Sequence, residues 1–173
     1  MIRNREFKAK VDQIDTYERL LQEKHPKFIG TDFQRDIYYK VDHGRKLKLR
    51  EGNIENALIY YERPELAEEK SASILLYRHQ PDSGLKKILK TLHGIDIIVF
   101  KERKIYFCDN VKIHFDKVEK LGCFIEVEAI ADEKANLSNE QLEAQCHDFR
   151  QYLGIAKKQL MALSYADLLK QLQ

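Results

Sequence analysis

Lys48 and Arg50 in LKLRE, and Lys101 and Arg103 in FKERK, are two pairs of bases, each separated by a single residue. Glu126 and Glu128 in FIEVE repeat that spacing with acids, and EFKAK near the start puts Glu6, Lys8 and Lys10 in one period-two row. Residues two apart on a β-strand project from the same face, so each set is a charged stripe. Tyr61 with Arg63, and His114 with Asp116, add two further stripes. Bases in such rows hold a multiply charged anion such as a triphosphate by charge-assisted hydrogen bonds. A cluster of carboxylates drawn from Glu6, Asp116, Glu126 and Glu128 holds Mg2+ or Mn2+, which take oxygen from acids, water and phosphate. The chemistry in view is the joint binding of a polyphosphate and a divalent cation, with Lys and Arg neutralising charge that develops on phosphoryl oxygens.

Such stripes need strands to carry them. Alternation recurs in REFKAKV, RKLKLRE, ALIYYERP, SILLYRH, IIVFKERKIYF, VKIHFD and CFIEVEAI, which predicts a mostly antiparallel β protein. Helical spacing is confined to a few places. IDTYERLLQEK aligns Ile14, Tyr17, Leu20 and Leu21 before Pro26, and GLKKILKTLHG aligns Leu85, Ile88, Leu89 and Leu92 before Gly94. SNEQLEAQCHDFRQYLG opens on a Ser138-x-x-Gln141 capping box and closes at Gly154, and SYADLL starts a last short helix at about Ser164. A solvated antiparallel sheet shows the same charge period. Against that reading stands the segregation of sign, because the acids fall on the first and last strands and the interior strands are nearly all basic. Like charges facing one another destabilise a sheet unless an anion sits among them. Closing the sheet into a barrel turns the charged face inward, with helices over the apolar outside.

Composition sets the limits. The 173 residues fit one domain, 1–173, with no repeat or Pro/Gly-rich linker to divide it. A net charge of +2 argues against nucleic acid as the partner. No apolar run approaches the roughly 20 residues needed to span a bilayer, and the opening MIRNREFKAK lacks the apolar stretch of a secretory leader. Cys108, Cys123 and Cys146 form no CxxC pair, so reduced thiols and a cytoplasmic location are expected. GxxxxGK[ST], GxGxxG and HExxH are all missing, which leaves P-loop, dinucleotide and zinc-protease chemistry unsupported. Cys123 reads as packing, and Tyr60 and Tyr61 as strand residues more readily than as base-stacking ones.

Taken in order, EFKAK, LKLRE, LIYYERP, VFKER, VKIHFDKVEKLGCFIEVE and the terminal SYADLL resemble the CYTH family, the triphosphate tunnel metalloenzymes, and in particular the bacterial members called class IV adenylate cyclase-like. The stretch Val111 to Glu128 is the most specific part. The resemblance implies an α+β fold, a mostly antiparallel eight-stranded β-barrel forming a tunnel, with flanking helices. It implies a triphosphorylated partner (ATP, inorganic triphosphate or thiamine triphosphate) and Mg2+ or Mn2+ as cofactor. Carried over residue by residue, it implies phosphate contacts from Lys8, Lys10, Lys48, Arg50, Arg63, Lys101, Arg103 and His114, with Lys10, Arg50 and Arg103 catalytic. Glu6, Asp116, Glu126 and Glu128 become the metal acids. The family opens on Glu-x-Glu-x-Lys; here Glu6 and Lys10 match, but Lys8 replaces the second acid. That exchange puts a cation where a metal ligand belongs.

Three readings of function follow. One is cleavage of a phosphoanhydride, by a cyclase making cyclic AMP and pyrophosphate from ATP or by a triphosphate hydrolase. A second is a module that binds nucleotide or polyphosphate without turnover, and the third a structural protein whose stripes face water. Fold membership narrows the ligand more than the reaction.

Overall fold

The computed structural model describes residues 3–62, 73–131 and 137–173. Eight antiparallel strands form one sheet: β1 (Arg3–Val11), β2 (Lys27–Tyr39), β3 (Arg45–Glu51), β4 (Ala57–Glu62), β5 (Ser73–Arg78), β6 (Ile95–Cys108), β7 (Val111–Val118) and β8 (Gly122–Ala131). Their spatial order is β1-β8-β7-β6-β2-β3-β4-β5. The sheet curls into a half-barrel, so that Lys112 of β7 reaches Glu55, in the β3–β4 connection, across the concave face. Among the described residues β1 and β5 are not paired with each other. The segment Leu160–Met161 lies along β1 instead, through an Ala9–Leu160 bridge and a Met161 N–H that donates to the Lys8 carbonyl at 2.8 Å.

Four α-helices flank the sheet: α1 (Asp15–Gln22), α2 (Ser83–His93), α3 (Asn139–Tyr152) and α4 (Tyr165–Lys170). The expected capping box of α3 is present, with Gln141 N–H donating to Ser138 Oγ at 3.2 Å and Ser138 N–H to Gln141 Oε1 at 2.7 Å. The alternate residues of β1, β7 and β8 that turn away from the charged stripes, including Ala9, Ile113, Phe115, Ile125 and Val127, form the main core with Leu21 of α1 and Leu142 of α3. A second cluster joins α2 to the outer face, through Leu89 with Ile37, Tyr39 and Leu49.

A third cluster lies on the concave side. Tyr38, Val99, Val118 and Phe124 pack there against Tyr165, Ala166 and Leu169, so α4 is seated at one end of the curl. Strand β2, the centre of the sheet, has no counterpart among the alternating segments read from sequence. Its concave row is Gly30, Asp32, Gln34 and Asp36, and its outer row mixes Phe33 and Arg35 with Ile37, so neither row is apolar enough to announce a half-buried strand. Gly30 sits at a bulge with φ +148°, and a Cβ there would lie 2.8 Å from the Ile54 side chain. The missing side chain lets β2 pass close to Ile54 of the β3–β4 connection.

Leu142 has no exposed surface and joins α3 to β1 and β8. Leu142→Ala is expected to cost about 2–5 kcal/mol, measured by urea unfolding, since the rigid sheet cannot collapse into the gap. A loss below about 1 kcal/mol would show α3 to be a loosely docked element.

Candidate functional site

Register places the charged stripes on one face. Glu6 stands opposite Glu128, Lys8 opposite Glu126 and Lys10 opposite Phe124 across β1 and β8. Across β7 the line continues from Glu126 to His114 and from Phe124 to Asp116, then from Asp116 to Arg103 on β6. Arg103 faces Asp32 and Lys101 faces Gln34 on β2, while Asp36 faces Arg50 and Tyr38 faces Lys48 on β3. Residues directly opposite share a face of the sheet, so Glu6, Lys8, Lys10, Lys48, Arg50, Lys101, Arg103, His114, Asp116, Glu126 and Glu128 all belong to the concave side. Arg63 lies outside the described residues.

Two arginines form the centre. Arg103 donates from Nε to Asp116 Oδ1 at 2.7 Å and from Nη2 to Asp116 Oδ2 at 2.5 Å, and Nη2 also reaches Glu126 Oε2 at 2.6 Å. Arg50 makes the matching fork on Asp36, at 2.8 Å and 2.9 Å, and turns Nη1 to Glu55 Oε2 at 3.0 Å. Both guanidinium groups and both aspartates are buried. Burial opposes ionisation of Asp36, but Arg50, Lys48 and Lys101 outweigh it and hold the carboxyl well below its usual range. Lys48 Nζ lies 3.1 Å from Asp36 Oδ2 and Lys101 Nζ lies 3.5 Å from it. Burial and the nearby Arg103 push the Lys101 amine down to about 7.

The interior of the sheet is therefore not uniformly basic. Asp32 and Asp36 on β2 stand between the basic rows of β3 and β6, which corrects the segregation of sign expected from sequence. Sequence reading missed them because β2 itself was missed, and because Asp32, Gln34 and Asp36 are not flanked by clean apolar alternation. Glu55, Lys112 and Tyr165 are likewise additions. Tyr165 O–H donates to Asp116 Oδ2 at 2.7 Å, and its ring receives Lys8 Nζ at 4.4 Å and Lys101 Nζ at 5.2 Å from the centroid. Lys46 Nζ donates to Asp167 Oδ1 at 2.5 Å, so α4 closes its end of the curl with an acid and a phenol.

The remaining candidates differ in setting. Lys8 Nζ pairs with Glu126 Oε1 at 3.3 Å and also donates to the Leu163 carbonyl at 3.3 Å. Lys10 is exposed, 5.9 Å from the Phe124 ring centroid, and among the described residues no hydrogen bond or ion pair joins it to the arginine network. His114 is buried, with Nδ1 3.7 Å from Glu126, and among the described residues neither ring nitrogen has a hydrogen-bond partner. Burial and Arg103 push it down to about 4, so the ring is neutral at pH 7.

The acids divide into two kinds. Asp116 is enclosed by Arg103 and Tyr165, and Glu126 is engaged by Arg103 and Lys8. Glu6 and Glu128 face each other across β1 and β8, and Glu128 Oε1 accepts from Asn4 Nδ2 at 2.7 Å. As arranged, the described residues contain no group of three or more His, Cys, Asp or Glu side chains that could share an ion. The Glu6–Glu128 pair supplies carboxylate oxygen of the kind Mg2+ and Mn2+ accept.

A curled eight-stranded antiparallel sheet with flanking helices and a concave face of paired Arg, Lys, Asp and Glu defines the class of protein. The chain belongs to the CYTH domain family, whose model matches residues 3–165. It is 26% identical over 176 positions to a protein of Methanocaldococcus jannaschii named "Putative adenylate cyclase", with 94% of this chain and 96% of that one covered. A solved structure from Pyrococcus horikoshii superposes with a TM-score of 0.84 at 24% identity, over 95% of this chain and 98% of that one. The structure of a "Putative adenylyl cyclase" from Hippeastrum, described as revealing a dominant triphosphatase activity, superposes with a TM-score of 0.63 at 14% identity, over 100% of this chain and 97% of that one. No helix among the described residues is long and apolar enough to cross a membrane.

Lys101 links ionisation to stability. Its amine titrates near 7 when folded and near the usual lysine value of about 10.4 when unfolded. Between those values only the unfolded chain holds the proton, so the stabilisation is complete above the unfolded pKa and is lost as pH falls through about 7. Relative to Lys101→Met, the parent should gain about 2 kcal/mol of unfolding free energy between roughly pH 7 and pH 9, read from urea titrations. Parallel pH profiles for the two proteins would show that Lys101 keeps its proton in the fold.

Proposed function

We propose that the concave face binds a triphosphorylated small molecule and that the protein cleaves one of its phosphoanhydride bonds with Mg2+ or Mn2+. The observation that carries this reading is the pair of buried arginines, Arg50 and Arg103, each held by a bidentate aspartate on one face shared with Lys8, Lys48 and Lys101. A guanidinium fixed in this way presents its remaining N–H groups in a set direction and matches phosphate geometry. With ATP the reaction is attack of the ribose 3′-hydroxyl on the α-phosphorus with release of pyrophosphate. With inorganic or thiamine triphosphate it is attack of water on the terminal phosphorus. The names carried by the Methanocaldococcus and Hippeastrum proteins support the two outcomes respectively.

In this reading Arg50, Arg103, Lys48 and Lys101 bind and orient the phosphates and neutralise charge on their oxygens as the bond breaks. Glu6 and Glu128 hold the divalent cation, which when bound supplies polarisation of the phosphoryl oxygens. Asp116, included with the metal acids on resemblance, acts here as the group that orients Arg103. Lys10, exposed at its end of the strand, serves entry of the anion. Neutral His114 offers a hydrogen bond to it.

A second reading, binding without turnover, is favoured by one observation: Lys8 already neutralises Glu126 at 3.3 Å. Phosphorus NMR of the protein with ATP, inorganic triphosphate or thiamine triphosphate, each with Mg2+ and Mn2+, separates the readings by cyclic AMP, orthophosphate or no product. Arg103→Lys keeps the charge and loses the fork, so triphosphate binding should weaken by about 1.5 kcal/mol or more in calorimetry. An unchanged affinity would remove Arg103 from the phosphate site.

Lys8→Glu restores the family's second acid and places it opposite Glu126. Without metal the two like charges should destabilise the sheet by up to about 1 kcal/mol. With Mn2+ the variant should bind metal more tightly and cleave triphosphate faster, in a titration of metal against product formed. Loss of activity in a folded Lys8→Glu protein would identify Lys8 as a phosphate ligand in its own right.

A further inference from the structure

The end of the concave face opposite α4 is crossed by an ion pair. Strands β3 and β7 run antiparallel, so the last residues of β3 and the first of β7 lie toward the same end. Arg50 and Lys112 occupy those positions, and the carboxylate of Glu55 spans them. Oε1 accepts from Lys112 Nζ at 2.5 Å, and Oε2 accepts from Arg50 Nη1 at 3.0 Å and from Gln34 Nε2 at 3.2 Å. Each donor is of the type that binds a phosphate oxygen.

The connection carrying Glu55 is rigidly built. Asp32 Oδ1 accepts from Ile54 N–H at 2.8 Å, and Asp32 Oδ2 from Glu55 N–H at 3.0 Å. Asn53 Oδ1 accepts from Phe33 N–H at 2.6 Å, and Asn56 exchanges two hydrogen bonds with the backbone of Gly52. A Cβ on Gly52 would lie 2.5 Å from Asp32 Oδ1, so only glycine lets the connection approach that carboxylate. Glu55 is thus presented at a fixed point, on a scaffold independent of any ligand. Arg50 has committed Nε and Nη2 to Asp36, which leaves Nη1 as the nitrogen directed at Glu55. Lys112 makes no other hydrogen bond or ion pair among the described residues.

We propose that the Glu55 carboxylate is a built-in occupant of the anion site, that an entering polyphosphate displaces it from Lys112 and Arg50, and that Lys112 is thereby a ligand-binding residue. The proposal rests on the polyphosphate reading above. Glu55 sets the affinity by competition: each phosphate contact made by Lys112 or Arg50 Nη1 is gained only as the internal one is given up. An anion that engages only Lys112 and Arg50 merely replaces the contacts Glu55 gives up and leaves the bridge closed, whereas a chain of phosphates also reaches the other bases of the face, so the pair selects for chains of phosphate over a single one.

Calorimetric titration of inorganic triphosphate and of orthophosphate into the full chain tests this, with thermal unfolding run on every variant. Glu55→Gln keeps the shape and removes the competing charge, so triphosphate should bind roughly tenfold more tightly, the order set by a hydrogen bond between charged groups. Orthophosphate, for which the bridge stays closed in the parent, should gain no more than triphosphate does in the same variant. Lys112→Met should weaken triphosphate binding, both alone and on the Glu55→Gln background. Should Glu55→Gln unfold, Glu55→Asp, one methylene shorter and unable to reach both donors, is expected to tighten binding to a smaller degree. A folded Glu55→Gln or Glu55→Asp protein with unchanged or weaker affinity overturns the proposal, and the weaker affinity makes Glu55 a residue that positions Arg50. Parent affinity indifferent to both Glu55 and Lys112 overturns it while leaving the polyphosphate reading standing. Absence of binding in the parent and every variant overturns both.

Discussion

Asp36 is the constraint on which the concave face depends. It sits on the central strand, and its carboxylate draws Arg50 and Lys48 from β3 and Lys101 from β6 toward one point. Remove it and those bases face each other in a water-poor space, where like charges are costly. Breaking a buried pair of this kind by deleting one partner typically costs about 3–5 kcal/mol, because the survivor is left charged and unsatisfied. Asp116 performs the same service for Arg103 one strand beyond β6. Folding therefore fixes both guanidinium groups before any ligand arrives, which lowers the ordering cost of binding.

This arrangement explains why the acids alternate with the bases strand by strand. Each guanidinium takes its aspartate from a neighbouring strand, at a directly opposed register position, so pairing the strands and forming the ion pairs are one event. The helix α4 extends the pattern beyond the sheet. Its Tyr165 hydroxyl completes the hydrogen bonding of Asp116, its ring lies between Lys8 and Lys101, and its Asp167 meets Lys46. Apolar contacts of Tyr165 and Leu169 with Val99, Val118 and Phe124 hold the helix there. The charged and apolar parts of the concave side thus meet at a single short element.

Much of this was legible from residue types. Period-two charge marked β1, β3, β6, β7 and β8, and capping chemistry at Ser138 marked α3, because local geometry alone dictates both signals. The eight-strand count came from resemblance, since β2 carries polar residues on its concave row and Phe33 with Arg35 on the other. Its acids are visible only once the strand is seen. The bridges from Glu55 to Lys112 and from Tyr165 to Asp116 join residues far apart in sequence. Curling of the sheet creates them, and no local pattern encodes curvature. Lys8 stood out as a departure from the family's opening motif; its pairing with Glu126 is a matter of register that becomes definite only when β1 is set against β8.

The exchange at Lys8 and the bridge at Glu55 have one physical meaning. Glu126 receives from Lys8 and Arg103 the positive charge that a divalent cation would otherwise bring, and Lys112 and Arg50 receive from Glu55 the negative charge that a phosphate would bring. A buried face bearing so many ionised groups is stable without a ligand only if such internal partners exist. On the reading proposed above, binding of external ions to this face is an exchange of partners, in which the free energy gained is the difference between two sets of charge-assisted hydrogen bonds of similar kind. Discrimination then follows from geometry more than from charge: a ligand succeeds by satisfying several fixed donors at once, a condition that the rigid placement of Arg50 and Arg103 by Asp36 and Asp116 makes strict.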